Sequence, residues 1–298
     1  MHRVFVTGAT GFVGRAVIQT LRAEGHVVRC LVRRGSEAKL HGFEAIERVE
    51  GDILGPPATL EADIAGCDTV IHLVGIIREQ PGRGITFERL HHLGTQNVLA
   101  AAARAGARRY LHMSALGTRA GARARYHRTK WAAEEAVRAS GLEWTIFRPS
   151  VIYGPGDGFV SLLAGMVRRL PVVPVIGDGR QRLQPVPVEH VAAGFARAVK
   201  VEASVKQTYV VAGPDAVSMV ELMELIGAAL HRKVRVARIP LGLVRPLARV
   251  LHRAPSFPVT PDQLLMLEED NTGDPGPFYA TFGLTPLPLA QGLGQILG

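Results

Sequence analysis

The sequence predicts an α/β fold: a doubly wound parallel sheet with a smaller C-terminal α/β substrate domain. Three observations carry this. Short apolar runs alternate with helical periodicity over residues 3–150. The first run ends in a glycine-spaced loop, "TGATGFVG", that opens directly into a helical stretch. Past Pro149, clusters of Pro and Gly alternate with renewed apolar periodicity, which marks a second kind of architecture rather than a linker.

The elements follow in order. "RVFVTG" reads as a strand and residues 12–24 as a helix ending near Gly25. "HVVRCLVR" and "AIERVEGD" are the second and third strands, with a helix expected over 58–65. "CDTVIHLVG" is a fourth strand, almost continuously apolar, as in a parallel strand covered on both faces. Residues 85–105 read as one long helical stretch closed by Gly106. "ARRYLHMSA" is a fifth strand, 126–139 a helix and "LEWTIFRPS" a sixth strand. Further on, "VEHVAAGFARAV" is helical and "QTYVVAG" is a strand. "SMVELMELIGAAL" is a helix with Ser218 and Glu221 as a capping box.

Composition bounds the function. The 298 residues are 47% hydrophobic and 20% charged, so the chain has ample core and is not disordered. No secretory signal and no membrane-spanning run is legible. The expectation is a cytoplasmic protein, with attachment to the inner face of a membrane as the alternative. Cys30 and Cys67 sit in strand-like runs and read as buried thiols of a reducing compartment. The net charge of +9 favours phosphorylated ligands, acidic partners or anionic surfaces. No basic stripe interleaved with aromatics is present, so nucleic acid is not an expected partner. His72, His91, His92, His112 and His127 form no Cys/His cluster at ligand spacing, and no metal is expected.

The loop itself asks for a ligand. Gly8, Gly11 and Gly14 stand between a strand and a helix. Glycine permits the tight turn, and its missing side chain admits a pyrophosphate to the backbone, at a helix N-terminus whose N–H groups are unpaired. Gly14 lets the helix pack closely on the sheet. This is the Rossmann-type arrangement. An NAD site usually has an acid at the end of the second strand. Here that strand ends "CLVRRG", with Val32 where the acid might stand, then Arg33 and Arg34. Guanidinium groups suit a 2′-phosphate, so NADP(H) is favoured over NAD(H); the alternative is two solvated arginines. Asp52, after the third strand, is the expected partner of an adenine amino group. Residues 1–150 are thus the expected dinucleotide-binding domain, with a returning segment near 183–212, and 151–298 mostly the substrate domain.

Tyr126 and Lys130 lie at i and i+4 in "YHRTK", on one helix face. A lysine cation beside a phenol lowers its pKa and suits it to acid/base work. Ser114 ends the fifth strand, at the sheet edge where ligands of such folds sit, and could hold a substrate carbonyl or hydroxyl.

With these motifs in hand, the chain resembles the short-chain dehydrogenase/reductase superfamily, of the extended or atypical, epimerase/dehydratase-like type. "TGATGFVG", Ser114 with Tyr126-x-x-x-Lys130, "LGTQNVLAAA", "RPSVIYGPGDG" and "QPVPVEHVA" carry the resemblance over nearly the whole length. "HLVGIIRE", "LHMSALG", "RYHRTKWAAEE" and "FGLTPLPL" are similar to the group around the nucleotide-binding accessory subunit of respiratory complex I, some of whose relatives are linked with quinone metabolism. The resemblance implies a Ser114-Tyr126-Lys130 set acting on a carbonyl or alcohol. It implies His91 where the superfamily often has an Asn of a proton relay. The cofactor set it implies is Gly8, Thr10, Gly11, Phe12, Val13, Gly14, Arg33, Arg34, Asp52, Ile53, Leu73, Val74, Gly75, Lys130, Pro149 and Val151. The alternative it leaves open is a non-catalytic NAD(P)H-binding accessory or assembly protein in contact with a respiratory complex. A homodimer is plausible for the superfamily.

Other residues have plainer readings. His127 is expected at the surface or a pocket rim, Tyr153 as a packing or pocket-lining aromatic, and Arg148 in an ion pair under the sheet edge. Arg182 is a candidate contact for an anionic substrate. Residues 231–253 are basic and apolar, with a short amphipathic helix interrupted at Pro246, suited either to covering the cleft or to lying on anionic lipid.

Overall fold

The computed structural model describes residues 1–43, 45–251 and 259–298. Of the basic segment at 231–253, His252 and Arg253 lie outside the described residues. In chain order the first half forms β1 (Arg3–Thr7), α1 (Phe12–Ala23), β2 (Val27–Val32), β3 (Glu47–Glu50), α2 (Pro57–Ile64), β4 (Thr69–His72), α3 (Gly94–Arg104), β5 (Arg109–Met113), α4 (Arg125–Ala139) and β6 (Glu143–Pro149). The second half adds β7 (Ile152–Tyr153), α5 (Val160–Arg169), β8 (Val173–Ile176), β9 (Arg182–Leu183), β10 (Val186–Pro187), α6 (Val188–Ala198), β11 (Gln207–Val211), β12 (Val217–Ser218), α7 (Met219–Ala229), β13 (Val236–Ile239), α8 (Leu241–Leu251), α9 (Pro261–Met266), α10 (Gly276–Phe282) and α11 (Leu289–Leu297).

Seven parallel strands make one sheet in the order β3-β2-β1-β4-β5-β6-β11. The chain winds outward from β1 to β3, returns to β4 and winds the other way. The reversal leaves a crevice beyond the carboxyl ends of β1 and β4, where Thr7 stands beside His72 in register. Every residue of β4 is buried, because helices cover both faces. On one face α1, α6 and α10 close a core around Val17, Ile18, Phe147, Phe195 and Phe278. On the other, α2, α3 and α4 pack around Leu60, Val98, Tyr110 and Val137. A third core, around Tyr153, Leu163 and Leu222, joins α5, α7 and α11. Cys30 and Cys67 are both buried and free, and burial pushes the Cys30 thiol up to about 12.

Two local readings are corrected. The stretch read as one regular helix over 85–105 begins with a π-helical turn, Glu88–Leu93, before α3. The expected break at Pro246 does not occur: α8 runs through it. Pro246 lies on the exposed side of α8, where the carbonyl it leaves unpaired can be hydrated. No helix among the described residues is long and apolar enough to cross a membrane.

Candidate functional site

The glycine loop is built as its spacing requires. Gly8 takes φ +77°, and a Cβ there would stand 3.0 Å from the Leu73 carbonyl carbon and 3.1 Å from the Val74 nitrogen. The two loops that border the crevice therefore touch through backbone. A Cβ on Gly14 would lie 2.2 Å from the Gly8 oxygen, so only glycine lets α1 start against the turn. Helix α1 has Gly11 at its N-cap, no side-chain cap and no acid in its first turn, with Thr10, Phe12 and Val13 around it. Its N–H groups and dipole remain available to phosphates. Arg33 follows β2 and is exposed, and among the described residues its guanidinium makes no hydrogen bond or ion pair. Arg34 is also exposed, 3.5 Å from Glu50. Asp52 turns the chain after β3, accepting from the Leu54 N–H at 2.9 Å, and Ile53 is buried with its carbonyl held by Asn97 at 3.0 Å. These donors and this glycine cradle fit a dinucleotide.

Beyond β4, three side chains converge. A Cβ on Gly75 would be 3.4 Å from Lys130 Nζ and 3.8 Å from His91 Nε2. The Tyr126 ring meets the His91 ring edge-on at 5.2 Å and the Phe87 ring at 5.8 Å. Lys130 is 2% exposed and donates to the Met113 carbonyl at 2.7 Å. Burial brings its ammonium down to about 8, with Glu134 opposing that shift. Burial pushes the Tyr126 phenol up to about 12, opposite in direction to the lowering expected from Lys130.

Ser114 is 3% exposed, and its hydroxyl donates to Glu134 at 2.6 Å. Glu134 is fully buried and also accepts from Arg148 at 2.6 and 2.8 Å and from Arg138 at 2.6 Å. Arg148 therefore has its ion pair. Pro149 takes the Leu116 N–H on its carbonyl at 2.8 Å and Val151 the Val186 N–H at 2.9 Å, fixing the far wall.

A buried hydrogen-bond network links the glycine loop to Tyr126. Thr7 reaches His72 Nδ1 at 2.7 Å, and His72 Nε2 reaches the Thr95 hydroxyl at 3.2 Å. Thr95 donates to the His91 carbonyl at 2.5 Å, across the π-helical turn. His91 Nδ1 meets Thr129 at 3.0 Å, and Thr129 donates to the Tyr126 carbonyl at 3.0 Å. Hydroxyls that spend their protons on carbonyls must accept from the histidines, so His72 carries its proton on Nε2 and His91 on Nδ1. The Ile76 N–H then finds His91 Nε2 at 3.1 Å. Burial keeps both rings neutral, lowering His72 to about 3 and His91 to about 2.

The segment 259–271 closes the site from the C-terminal side. Asp262 accepts the N–H groups of Arg125 at 2.6 Å and Tyr126 at 3.0 Å, capping α4 from a distant element. Arg119 pairs with Glu269 and Arg123 with Glu268.

Tyr153, expected as a packing or pocket-lining aromatic, is 1% exposed and packs on Gly292. Two readings change. His127 is buried rather than at the surface or a pocket rim, with its ring against Gly117. The Arg182 guanidinium is engaged with the Ala216 carbonyl at 2.6 Å. Thr7, Thr95, Thr129, Glu134 and Asp262 were not singled out in the sequence. Glu134 had a signal, since it stands four residues after Lys130 on the same helix face.

Comparison with known proteins agrees with this fold. The model of the NAD dependent epimerase/dehydratase family matches residues 4–212. An Arabidopsis thaliana protein, NADH dehydrogenase [ubiquinone] 1 alpha subcomplex subunit 9, mitochondrial, is 31% identical over 282 residues, covering 89% of this chain and 68% of that protein. Ceramide reductase of Caulobacter vibrioides is 37% identical over 190 residues, covering 64% of this chain and 58% of that enzyme. The solved structure of MoeE5 in complex with UDP-glucose and NAD superposes with a TM-score of 0.76 at 23% identity, covering 99% of this chain and 97% of that one.

Proposed function

This chain belongs to the NAD dependent epimerase/dehydratase family, and from that premise we propose that it is an NADP(H)-dependent oxidoreductase acting on a carbonyl or alcohol carbon. The observation that carries the reading is the meeting of Lys130 and His91 at Gly75, with the Tyr126 ring edge-on to His91, on the rim of the crevice beside the glycine loop. Gly8, Gly11 and Gly14 would hold the pyrophosphate and Arg33 the 2′-phosphate. When bound, the cofactor supplies or accepts the hydride.

The chain's own residues do the rest. A phenol near 12 is protonated at neutral pH, so Tyr126 is set to donate its proton to a carbonyl oxygen. Lys130, cationic below about 8, stabilises the phenolate left behind. His91, fixed in one tautomer, holds the Ile76 backbone and the Thr129–Tyr126 turn in place. Ser114 would orient the substrate oxygen by exchanging its hydrogen bond to Glu134. Oxidation uses the same set in reverse, and epimerisation through transient oxidation needs no other residue.

The commitment of Ser114 to Glu134 favours a second reading. A set whose serine is turned into a buried carboxylate suits a cofactor-binding accessory protein, and the Arabidopsis relative is named as a subunit of an NADH dehydrogenase. Replacing Tyr126 by Phe decides between them. Loss of cellular function with fold and cofactor retained supports catalysis; full function in that variant removes it. The nucleotide that copurifies, identified by mass spectrometry, tests the cofactor: NAD(H) without NADP(H) would defeat the Arg33 argument.

A further inference from the structure

Helix α8 has two apolar faces and buries only one. Val244 and Ala248 pack with Leu264 of α9. Leu243, Leu247, Val250 and Leu251 are 63%, 52%, 76% and 41% exposed. Their spacing of i, i+4, i+7 and i+8 places them on a single stripe. Of the large apolar side chains exposed among the described residues, no other helix contributes a stripe of this length. The core does not account for it.

The charge around the stripe is one-sided. Between Glu224 and Asp262 the sequence has no Asp or Glu, but it has Arg232, Lys233, Arg235, Arg238, Arg245, Arg249 and Arg253. That stretch carries +7 of the chain's net +9, leaving the rest of the protein nearly neutral. Arg235, just before β13, and Arg238, on β13, are exposed where the chain leads into α8. Arg245 turns away to Glu268 at 2.6 Å. The exposed stripe itself is purely aliphatic, with no aromatic or hydrogen-bonding side chain of the kind that specifies a protein partner. At 11 residues the helix is too short to span a bilayer.

We propose that α8 lies in the surface of an anionic phospholipid bilayer. Leu243, Leu247 and Val250 enter the boundary between headgroups and acyl chains, and Arg235 and Arg238 meet lipid phosphates. This surface is independent of the oxidoreductase reading. It also fixes where the candidate site sits: α9 packs on α8, and Asp262 of α9 holds the first N–H groups of α4 at Tyr126. The site is one short helix from the lipid.

The test is co-sedimentation of the full chain with vesicles of phosphatidylcholine alone or of phosphatidylcholine with phosphatidylglycerol, at low and high salt. The protein is expected to sediment with the anionic vesicles at low salt and to be released by high salt. L243S/L247S/V250S is expected to lose about tenfold or more of the partitioning. R235Q/R238Q is expected to lose about fivefold per removed cation. Unchanged circular dichroism and an unchanged urea-unfolding transition show that each variant is folded. Should the triple variant fail to fold, V250W serves instead, since that side chain is exposed; a blue shift of its added fluorescence on anionic vesicles supports insertion, and no shift refutes it. Absence of sedimentation at low salt overturns the proposal, as does unchanged binding of the folded triple variant. A wild-type dimer that the triple variant converts to monomer, without vesicle binding, overturns it in favour of self-association.

Discussion

Ser114 donates its hydroxyl to Glu134 at 2.6 Å, and Glu134 is shared with Arg148 and Arg138 under the sheet edge. This contact separates structure from chemistry at the serine. Glu134→Ala would leave Arg148 without its buried partner and is expected to cost about 3–5 kcal/mol. Ser114→Ala removes one hydrogen bond and is expected to cost about 1 kcal/mol. Urea unfolding of both variants measures the contrast. If Ser114→Ala is the more damaging, the buried carboxylate is not the organising group.

Tyr126→Phe is expected to lower turnover by about 10² to 10⁴-fold while NADPH affinity stays within a few-fold. Ser114→Ala should lose less, because that hydroxyl begins the reaction paired elsewhere. Steady-state rates with a panel of carbonyl substrates, beside fluorescence titration of NADPH, give both numbers. Comparable turnover in the Tyr126 variant would remove it from the chemistry.

Arg33→Ala is expected to weaken NADPH binding by about 10-fold or more and to leave NADH nearly untouched, since a charge-assisted hydrogen bond is worth about 1.5–3 kcal/mol. Calorimetry with the two nucleotides reads the ratio. Equal losses for both would mean that Arg33 does not meet the 2′-phosphate.

Lys130 gives the pH dependence. Its ammonium is present below about pH 8 and is lost as pH rises through that value. Affinity for the anionic cofactor is expected to fall above about pH 8, and Lys130→Met should flatten that limb. Stability moves the other way. The unfolded chain holds this proton up to about 10.5, so between about 8 and 10.5 it binds more protons than the folded one, and this group's contribution to stability rises with pH. Titrations of binding and of unfolding across this range check the two opposite slopes.

Gly14→Ala is expected to destabilise by about 1–3 kcal/mol and to impair cofactor binding, because its Cβ meets backbone that cannot swing aside. Gly11→Ala, whose Cβ would be 3.2 Å from the Gly8 oxygen, should be tolerated better. Thermal melts with and without NADPH compare them.

Local signals were enough for the first half of the chain. Glycine at 8, 11 and 14 means one thing between a strand and a helix, and α/β alternation follows from periodicity alone. Tyr126 and Lys130 share a face because the helix repeats every 3.6 residues. The π-helical turn at Glu88–Leu93 has no local signal, since its residues read as ordinary helix; the Thr95 hydroxyl donates to the His91 carbonyl within it.

The amino-acid order by itself thus determined the alternation of strands and helices, the glycine cradle and the placing of Tyr126 and Lys130 on one helix, since each is written in a local pattern. Tertiary structure alone decided the rest. The Thr7–His72 contact exists because β1 and β4 lie in register across 65 residues of chain. The Ser114–Glu134 contact exists because α4 packs back on the sheet, and Asp262 reaches Tyr126 only because α9 returns over the site. Burial then set the charges, bringing Lys130 down and Tyr126 up, since desolvation is a property of the packed interior that no stretch of sequence carries on its own.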